Sequence, residues 1–377
     1  MSRTVEYVDT SAAGGGDGSE SDPYDSLQEA IDTSSGPASS FGAVVWLCKG
    51  SETLDSAGID WSSCSWRTAP KLLIMGYEST PGDGGLYGIN MNGTEWPSNA
   101  DNMIVFHSLS VTNPGTTAGK FFSQSCYHSA IINCHFSDFN ADGNVVEMDQ
   151  GTNYITGCSF TDIDAKCITG KAAVDSCFFY NSGTREITDC INEEPTWVTN
   201  CLFSLDGATN GIKGGSGSSY FNNSFFCDSG GTGYAIRDYE GNNWIHSNVI
   251  EGFSVGLRLE NYAYAAKSVV EANSLYNCTM DVGDGTTASP ANLTSGQWRI
   301  IGDSGGLGQA NETLSNSPFA KSGSATSWSN RRAYFEPQDE GAVLGGALNG
   351  NSRGAVQLTS GGGGSSVIPA RPIQIGA

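Results

Sequence analysis

The chain carries 18 Lys and Arg against 40 Asp and Glu, and several of those scarce cations recur beside carboxylates at one place in a repeating pattern. Three successive positions read Glu147, Thr169, Asn192, Lys213, Arg237 and Arg258, then Met148, Gly170, Glu193, Gly214, Asp238 and Leu259, then Asp149, Lys171, Glu194, Gly215, Tyr239 and Glu260. Taken as one outward face, they suit two chemistries. Paired carboxylates hydrolyse a glycosidic bond, held about 6.5–9.5 Å apart when configuration inverts and about 5–5.5 Å when it is retained. Glu193 and Asp238 fall two repeats apart, roughly 9.6 Å at ~4.8 Å per strand, which is near the inverting range. Alternatively, Lys213 or Arg237 removes the proton alpha to a uronate carboxylate, with Ca²⁺ the one candidate ion and no other cofactor implied. Glu193, Asp238, Lys213 and Arg237 are therefore the candidate catalytic residues. Glu147, Asp149, Arg258 and Glu260 are candidate binding residues, and Trp61, Trp66 and Trp96 could stack on sugar rings or pack against the protein's side. The same ladder also reads as solvated ion pairs, each worth about 0–1 kcal/mol.

What must position these residues is a repeat. Aligned on one position it reads Ile-Asn-Cys134-His-Phe136, Thr-Gly-Cys158-Ser-Phe160, Asp-Ser-Cys177-Phe-Phe179 and Thr-Asn-Cys201-Leu-Phe203. It continues as Asn-Asn-Ser224-Phe-Phe226, His-Ser-Asn248-Val-Ile250 and Glu-Ala-Asn273-Ser-Leu275, with steps of 24, 19, 24, 23, 24 and 25 residues. Three residues earlier sit Ile131, Ile155, Val174, Val198, Phe221, Ile245 and Val270, and a later apolar segment contains Val146, Ile168, Ile191, Ile212, Ile236, Leu257 and Val282. A period of this size means stacked units, none able to bury its apolar face alone. Two or three short strands per unit, without a helix-length apolar stripe, predict a coil of strands. Cys, Ser and Asn at one inward site suit a narrow interior.

From about Val5 to Gln357 this pattern resembles the right-handed parallel β-helix proteins, the pectate-lyase-like superfamily that includes bacteriophage tailspikes. The resemblance implies an all-β, single-stranded right-handed parallel β-helix with an N-terminal helical cap. It does not supply a reaction, because one fold hosts many functions.

The segments expected are 1–40 (strand, loop and capping helix), 41–284 (β-helix rungs), 285–360 (closing rungs) and 361–377 (Gly-rich linker and tail). Val5–Val8 reads as the first strand. Asp22-Pro23 reads as a helix start, with Leu27, Ala30 and Ile31 on the apolar side. Val44–Leu47 and Leu72–Met75 are early rungs, and Phe106, Leu109 and Val111 match the next. Trp298–Ile301 reads as one more strand, and Asn316–Phe319 and Arg353–Gln357 resemble closing phrases of bacterial and phage β-helix proteins. Gly361–Ser366 reads as a flexible linker, and Val367–Ile375 as either a frayed end or, the reading favoured, a strand-like peptide that docks on a sister chain or partner.

The net charge of −22 argues against a basic nucleic-acid-binding surface. No run of about 18 apolar residues is present to span a membrane, and the first residues lack a signal-peptide apolar region. The 11 cysteines show no zinc spacing and read as buried free thiols, with disulfides between adjacent rungs as the alternative; free thiols would mean assembly in a reducing cytosol. The function expected is therefore a virion surface protein, a phage spike or head- or tail-attached fibre. Such a protein would be homotrimeric or docked on other virion proteins, made in the cytosol, and would serve adhesion to host-surface glycans or particle decoration. The alternative is a secreted polysaccharide lyase or glycoside hydrolase acting on acidic glycans.

Overall fold

Short segments rich in Val, Ile and Phe alternate with polar residues along this chain, so each strand has one face that must be buried by its neighbours above and below. The computed structural model describes residues 3–37, 42–62, 64, 71–96, 103–114, 120–124, 128–140, 143–181, 188–206, 209–228, 233–259, 268–283, 312–314, 316–319, 321, 357–358 and 365–366. The fold is an all-β parallel solenoid of about eight turns with only 3% helix. It divides into two units, Met1–Ala172 and Ala173–Ala377, described in turn.

In the first unit, strand Arg3–Asp9 pairs with Ala43–Lys49, which pairs with Lys71–Tyr77, then Ile104–His107, then Ala130–Ile132, all in parallel. A second parallel ladder runs through Ser51–Thr53, Tyr87–Asn90, Leu109–Thr112, His135–Ser137 and Ser159–Thr161. In-register pairing stacks Glu6, Trp46, Ile74, Phe106, Ile131 and Ile155 in one inward column. Glu6 is the polar end of that column. Its carboxylate accepts hydrogen bonds from the Trp46 indole at 2.9 Å and the Ser34 hydroxyl at 3.0 Å, the compensation a buried charge requires.

The single described helix is Leu27–Thr33, with Leu27, Ala30 and Ile31 buried. Its N-cap is Ser26, not Asp22. Ser26 Oγ accepts the Glu29 N–H, and Glu29 reaches back to the Asp25 N–H, close to the reciprocal pattern of a capping box. Residues 22–24 are committed elsewhere. The Asp22 carbonyl accepts from Asp17 and Gly18, and Tyr24 bonds to Tyr7 and Asp9 of the first strand.

In the second unit three parallel ladders are described. The first contains Asp189–Glu193, Asn210–Gly214, Tyr234–Asp238, Val255–Leu259 and Met280–Gly283. The second contains Trp197–Thr199, Ser219–Phe221, Trp244–His246 and Val269–Glu271. The third contains Phe178–Tyr180, Leu202–Leu205, Ser224–Cys227, Val249–Glu251 and Ser274–Tyr276. Inside, Phe179, Phe203 and Phe225 stack face to face, with centroids 4.7 and 4.4 Å apart.

One rung corrects the sequence alignment. Leu202 pairs with Ser224 and Ser224 with Val249, so the residue equivalent to Cys201 and Asn248 is Asn223, not Ser224. The one-residue shift exchanges faces. Tyr220 and Phe225 are the inward residues, while Phe221 looks outward.

The corrected column explains its own composition. Asn223, Asn248 and Asn273 are fully buried. Each amide oxygen accepts the backbone N–H of the preceding rung, at 3.0, 3.0 and 3.1 Å. Each amide nitrogen donates to a backbone carbonyl, of Val198, Tyr220 and Ile245 respectively. In the first unit a thiol does the same work: Cys134 N–H points at Cys158 Sγ, and that sulfur reaches the Ile131 carbonyl, the equivalent acceptor, as well as that of Thr156. Cys is the smaller, weaker equivalent of Asn here. The described cysteines are all free thiols.

Further along, Leu314 and Phe319 cover an outer apolar patch of Phe178, Leu202, Phe226 and Val249. Gln357–Leu358 pairs antiparallel with Ser365–Ser366. Trp66, Glu260, Trp298–Ile301, Arg353–Val356 and Val367–Ile375 lie outside the described residues.

Candidate functional site

Strand alternation divides the three candidate positions of the charged pattern. In the first, Lys213, Arg237 and Arg258 stand in register on adjacent rungs, half-buried on the side of each strand that alternation turns outward. Rung spacing brings such neighbours to about 4.8 Å between backbones. Asn192, next in the same column, is buried. Glu147 and Thr169 occupy this position in the first unit. There Glu147 forms an ion pair with Lys120 and accepts a hydrogen bond from Ser123, which holds its carboxyl below the usual range against the opposing effect of burial. Asp149 lies in strand Asn144–Thr156.

The second position faces inward: Met148, Asp238 and Leu259 are buried. Asp238 is therefore not on the outer face with Glu193, and the pair expected to flank a glycosidic bond does not form. Asp238 Oδ1 accepts from the Gly241 N–H at 2.7 Å and the Asn243 amide at 2.8 Å, and Oδ2 accepts from the Ser268 hydroxyl at 2.6 Å. Burial pushes the Asp238 carboxyl up, while these hydrogen bonds pull it down. The phenol of Tyr220 lies where a side chain at Gly214 would be; a Cβ there would sit 1.5 Å from the Tyr220 oxygen, so only glycine fits. Burial likewise raises the Tyr220 phenol.

Glu193 is the exception in this inward column. It is exposed because its backbone takes a left-handed φ of 74° at the end of its strand, a conformation that costs energy for a non-glycine residue.

The third position is outward again, with Lys171, Glu194 and Tyr239 exposed. Tyr239 meets Arg237. The Arg237 guanidinium lies 5.4 Å from the Tyr239 ring centroid and 5.5 Å from that of Tyr234, and Arg258 lies 5.5 Å from Tyr234. Arg237 also donates to the Tyr234 hydroxyl at 3.1 Å. These contacts fix the cations over aromatic faces. Burial raises the Tyr234 phenol despite the arginine beside it, so it stays protonated at neutral pH and serves as a platform, not a base.

Trp61 and Trp96 belong to the core. Trp61 stacks on Trp46 at 6.1 Å, and Trp96 meets Phe106 edge-on at 5.2 Å. Neither can receive a sugar. Packing wins because these large rings fill the solenoid where the early rungs offer a Trp and a Phe to stack against.

The sequence reading missed Tyr234, Phe221, Trp244 and His246. The available signal was alternation from Trp244 to His246, flanking inward Ile245. The misaligned rung at Ser224 hid it by assigning Phe221 to the interior. Among the described residues no group of three or more His, Cys, Asp and Glu is arranged to hold a metal ion, and no helix is long and apolar enough to cross a membrane. Comparison with known proteins gave no match: no family model, no curated protein and no solved structure matches this chain.

Proposed function

We propose that the outer face around Lys213, Arg237 and Arg258 binds acidic glycans, and that the protein acts in adhesion. The observation that carries this reading is the column itself. In a chain of net charge −22, three cations stand on consecutive rungs and two are held over tyrosine rings. Such a row complements a polymer with a carboxylate or sulfate on successive sugars, and guanidinium groups match carboxylates in a bidentate fork. Adhesion to host-surface glycans, as the resemblance to virion-surface β-helix proteins implies, is the setting in which such a face operates.

The test is titration calorimetry of the full chain against polygalacturonate, alginate, hyaluronan and polysialate. Binding of at least one is expected, weakening as salt rises because exposed charges are screened over about 10 Å at 0.1 M. The Arg237→Ala/Arg258→Ala variant should lose about tenfold or more in affinity. Equal binding by that variant sinks the reading.

The strained Glu193 favours a second reading, in which the face turns its glycan over by elimination, with Lys213 as base beside Glu193. Accumulation of an unsaturated uronate product, abolished by Lys213→Ala, would establish it. No product from any acidic polymer that binds would remove it.

A further inference from the structure

Five large hydrophobic residues are exposed among the described residues, and two of them, Tyr239 (50%) and Trp244 (47%), bracket a single turn. That turn joins strand Tyr234–Asp238, which carries Arg237, to strand Trp244–His246. On the second strand the outward side chains form an aromatic surface. Trp244 lies 4.8 Å from His246, and His246 stacks on Phe221 at 5.0 Å with the rings 2° from parallel. Trp197 stands in the Trp244 column two rungs away, with the small Ser219 between them.

This surface is built rather than incidental. The Trp244 indole N–H donates to Glu271 at 3.1 Å, which fixes a ring that is nearly half open to water. The turn beneath is anchored from inside, where Asp238 takes hydrogen bonds from Gly241 and Asn243 and the Asn243 N–H bonds to Ser268. Above, Asn242 donates to Ser216 at 3.1 Å. An exposed aromatic plane one turn along the chain from the strand that carries Arg237 is poorly suited to open water and well suited to a pyranose. The axial C–H bonds of a sugar meet the electron-rich ring face, while its carboxylate meets the cation.

We infer that Trp244, with His246 and Phe221, is a second subsite for the same acidic glycan, taking the apolar face of one sugar while Arg237 and Arg258 hold the acidic group of a neighbour. This rests on the adhesion reading above and adds to it where the polymer lies: across the turn 239–243. Asp238 is then a positioning residue that holds the turn.

The experiment uses the full chain, the best-binding acidic polymer from the panel, and that polymer with its carboxylates reduced to alcohols. Trp244→Ala should weaken both forms about tenfold with an unchanged unfolding midpoint, and Trp244→Phe should restore most of the binding. Arg237→Ala/Arg258→Ala should weaken the acidic form alone. If Trp244→Ala binds both forms like the wild type while the arginine variant fails, the subsite is wrong and the adhesion reading stands. A loss with Trp244→Ala but not with the arginine variant keeps the subsite and overturns the cation column. If nothing in the panel binds, both are overturned.

Discussion

Two outward surfaces of the second unit treat apolar side chains in opposite ways. On the third ladder, Phe178, Leu202, Phe226 and Val249 point away from the solenoid interior, yet they are buried because Leu314 and Phe319 lie over them. Lys321 secures that cover through Glu251 at 2.6 Å and sits 4.8 Å from the Phe226 ring centroid, and Ser317 adds a hydrogen bond to Glu251. At the turn that joins the first two ladders, Tyr239 and Trp244 remain exposed. The difference separates stability from use. A solenoid that needs an outer apolar patch for its own folding shields it from water, since each fully buried large side chain is worth about 1.5–3 kcal/mol. An aromatic surface left open, and stiffened from below, contributes little to folding and is free to meet a ligand.

The sharpest way to break this comparison is at the cover. Phe319→Ala should destabilise the second unit by about 3–5 kcal/mol, because a buried phenyl ring is lost and a cavity remains. Chemical denaturation checks it. A change below about 0.5 kcal/mol would mean that the cover is dispensable and that the two faces do not differ in kind.

The asparagine column should come next in magnitude. Asn248→Ala removes the acceptor of the Asn223 N–H and one of the two acceptors of the Asn223 amide, along with the donor that the Asn248 amide presents to the Tyr220 carbonyl. Each buried orphan costs about 1–3 kcal/mol. Asn248→Cys should recover part of the loss, because Cys158 accepts a backbone N–H and donates to a carbonyl at the equivalent place in the first unit. Equal stability of the Ala and Cys variants would show that the thiols merely fill space.

Far smaller is the stability effect expected at the open face. Trp244→Ala should change the unfolding free energy by no more than about 0.5 kcal/mol while weakening glycan binding as argued above. A large loss of stability would move Trp244 into the same class as Phe319, and the contrast between the faces would vanish.

Most of the fold was legible because its signal is redundant. The inward Ile, Val and Phe positions repeat in every rung, so one ambiguous rung does not hide the solenoid. The site was less legible because it depends on single-residue register. In Asn222-Asn223-Ser224 every residue is small and polar, so nothing local chooses which faces inward. The pairing of Leu202 with Ser224 settles it, and that pairing depends on neighbours two dozen residues away. Asp238 was misread for a related reason. A carboxylate beside Arg237 looks solvent-facing, but alternation turns it inward, and the donors that make its burial tolerable come from residues as distant as Ser268. Glu193 shows the converse, a residue in the inward column turned out by its left-handed backbone.

The turn's inner pin and its outer platform also differ in the sign of their pH response. Burial lowers the His246 imidazole from 6.5 to about 4. An unfolded chain then binds a proton between those values that the folded chain refuses. His246 therefore contributes stability that is fully present above pH 6.5 and is lost as pH falls toward about 4. Asp238 runs the other way. Its carboxyl is raised above 3.8, so its favourable contribution is present below that value and fades as pH rises through its folded pKa. His246→Phe, which keeps a ring to stack on Phe221, should flatten the rise in stability between about pH 4 and 6.5. Asp238→Asn should steepen it at the acid end. Thermal unfolding across that range reads both variants. If they tilt the profile in the same direction, the inner pin and the outer platform do not have the separate electrostatic environments assigned to them. Opposite tilts would tie the turn's anchoring to Asp238 and its exposed chemistry to the aromatic surface.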